Sequence, residues 1–364
     1  MSKRILIYDP VPFKGGSKEV MKTILAELPS HIEVCVISND SVSWQNCNVH
    51  FMPLFSPSCL IKQTTGILYF IKHLIYLTSL LCNMCKVRRF NKVIGISGPC
   101  VDFALYLLSE IITIDIIQLI QGDIADSKVA TFGLNRAKQI FYLPSTKGSI
   151  LKALKMSNTL SCITKSKFMP FINGIDRSTI KTKTTNKRVG FFWAASLLKW
   201  KRLELFVAAM AKINDLPEHE DQYFASICYI KPVVGTYFDI SNYHEIDNIH
   251  WHADPSNLND IRANSSVFIS TAKQEPFGLS ILESMVAGLA VVIPADNAYW
   301  DNNLTDGYDC LKYTPNDMHS LVKALTRLMS DPDFLIEISN QARVSAKRYS
   351  HLNCYSQILK CIPN

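Results

Sequence analysis

Ser266-Val-Phe-Ile-Ser-Thr271, then Ala-Lys-Gln-Glu275-Pro-Phe-Gly278-Leu-Ser-Ile-Leu-Glu283-Ser-Met-Val-Ala-Gly288, then Leu289-Ala-Val-Val-Ile293-Pro294, is the stretch that decides the fold. The first and last runs are short, apolar and β-branched, and read as buried strands. The middle reads as a loop running into a short helix, with Gly278 near its start and Gly288 as its C-terminal stop. Strand, loop, helix and strand in such short order indicate an α/β unit. The N–H groups around Gly278, Leu279 and Ser280 would project from the helix start with the positive end of its dipole behind them. That makes an anion site suited to a phosphate or diphosphate.

Glu275 and Glu283 flank this site. A carboxylate about 5 Å from a phosphate repels it by roughly 3 kcal/mol at an effective dielectric near 20. Both should therefore aim at neutral hydroxyls on either side of the diphosphate. A ligand with a diphosphate in the middle and hydroxylated rings at both ends is a nucleotide-sugar. Two glutamates eight apart mean little alone. Glu-Pro-Phe-Gly-Leu-Ser-x-Leu-Glu in this strand–helix setting is far more specific than an ordinary βαβ unit with an incidental surface glutamate.

The segment resembles the E-x7-E motif of retaining glycosyltransferases of the GT-B fold, in particular glycosyltransferase family 4 (glycosyl transferases group 1). The resemblance implies two Rossmann-like domains facing across a cleft, with a last helix crossing back to the first domain. It implies that Glu275 holds hydroxyls of the donor sugar, that the backbone from Pro276 and Phe277 through Gly278, Leu279 and Ser280 contacts the diphosphate, and that Glu283 holds the ribose.

Length and composition agree with a well-buried globular protein of two domains. The chain has 364 residues, 48% hydrophobic and 19% charged, which suits buried cores rather than disorder. A net charge of +7 fits anionic substrates or an anionic membrane surface, and nucleic acid is not required. Eleven cysteines are scattered without a paired framework, so reduced thiols in a cytoplasm are expected. Ile5-Leu-Ile-Tyr8 before Asp9 is too short for a signal-peptide core. Cys82-x-x-Cys85 lies in an apolar helical run with no second pair nearby, and reads as structural.

Outward from the motif, Arg4–Tyr8 and Glu33–Ser38 read as strands around a loop, Val11-Pro-Phe-Lys14-Gly15-Gly16-Ser17, and a helix over 18–28. This loop is not G-x-G-x-x-G, which argues against a dinucleotide oxidoreductase. It resembles the family's first-strand Gly-Gly loop, so Gly15 and Gly16 are expected near the donor phosphate and Lys14 on the acceptor side. Further strands are expected at Val93–Ser97 and Ile116–Ile120. The latter leads into Gln121, where family members often place a histidine near the reacting sugar. Residues 66–89 are long enough to span a bilayer. Lys72, Tyr76, Ser79, Asn83 and Lys86 form one polar stripe on this run, and Lys86, Arg88, Arg89 and Lys92 close it. A buried helix, a helix lying in a lipid interface, and a true span all remain open.

Phe171-Ile-Asn173-Gly174-Ile175-Asp176 resembles the signature that closes the family's first domain. The expected domains are 1–178 with a returning helix in 346–364, and 187–345, joined by a Thr- and Lys-rich linker. The second begins with a strand over Arg188–Trp193. The family's Gly-Arg-Leu…Lys-Gly follows, and gap-free alignment puts Lys201 on the lysine, Ser196 on the arginine and Arg202 on the last glycine. Lys201 and Arg202 should thus meet the diphosphate, and His252 and Ala253 should lie near the nucleobase. His250 and His252 lack a third metal ligand.

The expectation is a retaining, metal-independent hexosyltransferase with Lys201 and Glu275 as its catalytic residues. It would use no cofactor beyond a nucleotide-diphosphate-sugar co-substrate. Its acceptor would be a glycan, expected to be lipid-linked, in surface polysaccharide or lipopolysaccharide assembly. It would be cytoplasmic, or peripheral on the inner face of the plasma membrane. The rivals are a nucleotide-sugar epimerase or phosphorylase of the same fold, a glycoside hydrolase, and an inactive sugar-binding partner, which Ser196 and Gln121 would suit.

Overall fold

The structure, a computed structural model, describes residues 3–362 except 88, 89, 91, 156–165, 186, 217–221, 234–236, 242, 244 and 245. The chain divides into two units, Met1–Gly174 with His351–Asn364, and Ile175–Ser350.

The first unit is built on seven parallel strands: β1 (Lys3–Asp9), β2 (Ile32–Ser38), β3 (His50–Pro53), β4 (Lys92–Gly95), β5 (Asp115–Ile120), β6 (Gln139–Tyr142) and β7 (Phe168–Pro170), in the order β3-β2-β1-β4-β5-β6-β7. The near-continuous apolar runs Ile5-Leu-Ile-Tyr8 and Cys35-Val-Ile37 are what a sheet covered on both faces requires, and all are buried. Strand order reverses at the β1/β4 pair, where Ile5 registers with Lys92. Ligands of doubly wound sheets bind outside the carboxyl ends at such a switch point.

The loop after β1 is held by Lys18, a lysine only 1% exposed. Its ammonium pairs with Asp9 at 3.0 Å and with Asp40, and donates to the Val11 carbonyl at 2.8 Å. Burial raises the Asp9 carboxyl above its ordinary range despite this partner.

The second unit carries six parallel strands, β8 (Val189–Ser196), β9 (Tyr223–Ile230), β10 (Ile249–Ala253), β11 (Val267–Ile269), β12 (Ala290–Pro294) and β13 (Leu311–Tyr313), in the order β10-β9-β8-β11-β12-β13. Its switch point is the β8/β11 pair, with Val267 opposite Phe191 and Phe268 opposite Phe192. Helices Leu203–Asn214 and Met318–Ser330 place Phe206, Met210, Leu321 and Leu325 in the core of this unit.

Gly174 closes the first unit's opening segment. A Cβ there would lie 2.7 Å from the His351 Cα, so only glycine admits the returning chain. The Tyr355 hydroxyl accepts from the Gly174 N–H and donates to its carbonyl, both at 3.0 Å.

Helix Gly66–Lys86 turns its polar stripe inward except for Lys86, which is exposed. Tyr76, Ser79 and Asn83 are buried, and Lys72 is half-buried. Ser79 Oγ accepts from the Phe55 N–H, Asn83 Nδ2 donates to the Pro53 carbonyl, and the Tyr76 hydroxyl bonds Ser56 Oγ. The outward face is apolar, with Ile67 78% and Leu74 54% exposed and Leu68, Phe70 and Ile71 beside them. Arg88 and Arg89 lie outside the described residues. The Lys92 ammonium donates to the Cys361 carbonyl instead of standing free in a basic cluster.

Candidate functional site

The carboxyl ends of β8 and β11 carry most of the second unit's predicted site residues. After β8 the chain makes a turn of 3₁₀ helix, Lys199–Lys201, and Arg202 then caps helix Leu203–Asn214. Arg202 adopts φ +55°, ψ +46°, a left-handed backbone that glycine enters at no cost. This is the residue aligned with the glycine of the Lys-Gly pair. Its guanidinium turns away to Glu204 at 3.2 Å. Lys201 instead pairs with Glu275, with the two side chains 17% and 14% exposed. Its ammonium also sits 4.1 Å from the centre of the Trp200 ring. The Lys201 carbonyl accepts from Thr271 Oγ1 at 2.8 Å, and the Lys273 N–H donates to the Trp200 carbonyl at 2.9 Å. These bonds lock the β8 turn to the β11 loop, which is how two residues 74 positions apart meet.

The loop from Ala272 to Gly278 is shaped by two left-handed residues. Gln274, at φ +52°, donates its N–H to Asp296 Oδ2 at 2.8 Å. Gly278, at φ +78°, precedes helix Leu279–Ala287, and a Cβ there would meet the Glu275 Cγ at 2.9 Å. Gly288, at φ +90°, ends that helix by donating to the Ser284 and Met285 carbonyls. The first N–H groups of a helix have no partner within it, so the Leu279 and Ser280 amides are directed at whatever lies before the helix. Pro276 is half-buried, and the Phe277 ring is buried among Tyr299, Trp300 and Tyr349. Phe277 thus anchors the loop with its ring and leaves only its backbone for a ligand. Glu275 lines a small cavity with Ser270, Ala272, Asp296 and Asp301.

Glu283 lies one turn into the helix, its side chain about a quarter exposed and paired with the buried Arg262. His252 and Ala253 end the edge strand β10, away from the β8/β11 pair in strand order. Burial lowers the His252 imidazole below its usual range, with His250 adding to the effect. Among the described residues no three His, Cys, Asp or Glu side chains converge as metal ligands.

Lys14, Gly15, Gly16 and Gln121 belong to the first unit. Gly15 has an extended backbone, and a Cβ there would meet nothing within 4 Å. Gly16 begins helix Gly16–Ala26 and is exposed, and Lys14 is half-buried. Gln121 directly follows β5, with a buried Nε2 that has no hydrogen-bond partner among the described residues. No motif in the sequence singles out Arg262, Trp200 or Asp296. Arg262 lies 21 residues from Glu283, and no spacing rule joins them.

Residues 176–345 match the family described as glycosyl transferases group 1. The chain has the GT-B fold, and residues 176–345 within its second unit are similar to that family. Three solved structures similar over nearly their whole lengths carry the fold. HepE from Anabaena, solved in complex with UDP-glucose, is 14% identical over 99% of each chain, with a TM-score of 0.76. Sucrose-phosphate synthase from Thermosynechococcus elongatus is 13% identical over 99% of this chain and 98% of that one, at 0.74. WaaG, a glycosyltransferase involved in lipopolysaccharide biosynthesis, is 13% identical over 98% and 99%, at 0.72. No curated protein matches the chain significantly.

Proposed function

We propose that the chain moves a hexose from a nucleoside-diphosphate sugar to a hydroxyl of a glycan acceptor, with retention at the anomeric carbon and without a metal. The observation that carries this is the Lys201–Glu275 pair on the loops after β8 and β11, with Glu275 packed against Gly278, the residue that precedes helix Leu279–Ala287. The bond between the anomeric carbon and the diphosphate oxygen breaks, and one to the acceptor oxygen forms on the same face. The acceptor's proton passes to the leaving phosphate. Negative charge grows on that phosphate in the transition state, where an ammonium and fixed N–H groups stabilise it. In this reading Lys201 and the amides from Phe277 to Ser280 receive the phosphate, Glu275 orients the sugar and Glu283 meets the ribose. Gly15 and Gly16 line the donor phosphate, Lys14 and Gln121 serve the acceptor, and His252 and Ala253 lie by the base. HepE is solved with UDP-glucose, which makes UDP-sugars the first donors to try.

The test is a panel of nucleotide-sugars in EDTA, read first by thermal stabilisation. A ligand at 100 times its dissociation constant adds about 2.7 kcal/mol. Turnover of the stabilising donor is then followed, with the product's anomeric configuration read by NMR. Inversion, or activity only with added metal, overturns the mechanism. Binding without turnover on any acceptor supports the second reading, an inactive sugar-binding partner, which Ser196 at the arginine position favours.

The acceptor in this proposal is lipid-linked, in surface polysaccharide or lipopolysaccharide assembly, and the protein is peripheral on the cytoplasmic face of an anionic membrane. At 21 residues, Gly66–Lys86 is long and apolar enough to cross a bilayer. Its buried inner face, bonded to residues 53–56, supports lying in the interface instead. The outward apolar face suits the acyl–headgroup boundary. The unit bearing this face has twenty Lys and Arg against ten Asp and Glu, while the other has eighteen against twenty-one. The whole basic surplus therefore accompanies the apolar face, and each cation near an anionic surface contributes roughly 1 kcal/mol. The protein should sediment with phosphatidylglycerol vesicles at low salt, and Ile67→Ser with Leu74→Ser should weaken this. Failure to sediment at any salt overturns the membrane part alone, since donor turnover is measured without lipid.

A further inference from the structure

We infer that Arg262 is a positioning residue for Glu283 and thereby sets how the ribose of the donor is read. The inference rests on the proposal that Glu283 meets the ribose. Arg262 belongs to helix Leu258–Ala263 and is only 1% exposed. A charged side chain is almost never buried so fully unless it is paired. Its guanidinium forks: Nη1 donates to Asn259 Oδ1 and Nη2 to Glu283 Oε2. The Phe192 ring lies 5.8 Å from the guanidinium carbon. Asn259 is fixed in turn, donating from Nδ2 to the Thr179 carbonyl at 3.0 Å. A continuous line of bonds therefore runs from a backbone carbonyl through Asn259 and Arg262 to one oxygen of Glu283.

Two consequences follow for the site. Glu283 Oε2 is engaged, and no hydrogen bond among the described residues engages Oε1. The acceptor offered to a hydroxyl is thus one oxygen in a set direction rather than a freely rotating carboxylate. The guanidinium also cancels the charge that Glu283 would otherwise present to the diphosphate. The pair differs in kind from Lys201–Glu275, whose cation is 17% exposed against 2% for the Arg262 side chain. A flexible, partly exposed ammonium can change partners, whereas a buried planar fork bound at both prongs holds its place. Lysine cannot reproduce both prongs.

The experiment uses Arg262→Met, Arg262→Lys, Asn259→Ala and Glu283→Gln in the full chain. It measures affinity for the nucleoside diphosphate that stabilises the wild type and for its 2′-deoxy and 3′-deoxy counterparts, together with kcat and KM for the donor. The wild type should reject at least one deoxy form by about tenfold or more, as loss of a hydrogen bond to a charged acceptor implies. Arg262→Met and Glu283→Gln should both reduce that ratio to about threefold or less, with KM rising and kcat little changed, the mark of lost ground-state binding. Arg262→Lys and Asn259→Ala should fall between. Should Arg262→Met fail to fold, these two milder variants carry the test. Lowered Tm with the ribose ratio intact in the Arg262 and Asn259 variants, while Glu283→Gln loses it, overturns the positioning role and leaves the ribose assignment standing. An intact ratio in Glu283→Gln overturns the ribose assignment itself, and the positioning role with it.

Discussion

Replacing Glu275 with glutamine preserves its shape and removes its charge, and the structure sets opposite signs for two effects. Lys201 and Glu275 pair with each other at positions where both side chains are about one-sixth exposed. A diphosphate that reaches Lys201 must compete with that carboxylate. The attraction between unit charges 4 Å apart is about 4 kcal/mol at an effective dielectric near 20. Exposed pairs retain at most about 1 kcal/mol of this after desolvation and lost side-chain freedom. Partial burial here puts the net competition at about 1–2 kcal/mol. Glu275→Gln should therefore bind the nucleoside diphosphate product about five- to thirtyfold more tightly, at 1.4 kcal/mol per tenfold. Turnover should fall in the same variant, because the sugar loses hydrogen bonds to a charged acceptor worth about 1.5–3 kcal/mol. Calorimetry with the nucleoside diphosphate, and initial rates with the matching donor, measure the two arms. Unchanged or weaker product affinity in Glu275→Gln would refute the competition, whatever happens to turnover.

Lys201→Ala should depress turnover by about 2.7–4 kcal/mol, the scale of one lost oxyanion donor, and donor affinity by less. Arg202→Ala should do little to turnover, since its guanidinium is directed at Glu204; rates of both variants check this. Gly278→Ala should destabilise the loop by roughly 1–3 kcal/mol, because φ +78° and a Cβ 2.9 Å from the Glu275 Cγ cannot both be relieved. Its Tm should fall even without ligand. Asp102 is wholly buried, and burial lifts its carboxyl to about 8. A raised folded-state value means stability that is full at pH 4 and lost as pH rises through 8. Asp102→Asn should flatten Tm between pH 5 and 9, and a slope as steep as the wild type's would contradict the assignment.

The parts of the fold legible in the sequence are those where one periodicity runs uninterrupted. Ser266–Thr271, Leu289–Pro294 and Arg4–Tyr8 are continuous apolar runs between breakers, and each proved to hold a buried strand. β3, β6, β7 and β13 were not foreseen, because strands of three or four residues establish no period; β4 and β11 are as short but lie in the longer apolar runs Val93–Ser97 and Ser266–Thr271. The polar stripe on helix Gly66–Lys86 was visible, but its direction was not. Tyr76, Ser79 and Asn83 face inward where the Ser56 hydroxyl, the Phe55 N–H and the Pro53 carbonyl offer them partners. At the site, Arg202, the residue set against the family's glycine, has a left-handed backbone. Arg262 stayed hidden because a buried cation reads in sequence like any surface arginine until its partner is placed.

The way the last helices return has a consequence for synthesis. The first unit's core includes Tyr355, Ile358 and Ile362, all at most 2% exposed. Its first 174 residues leave the ribosome early, yet that core cannot be completed until residues 351–362 have been made. The second unit has all its own residues by Ser350. Although domains generally fold in the order of their translation, the first unit of this chain cannot seal its core until the whole of the second has been synthesised.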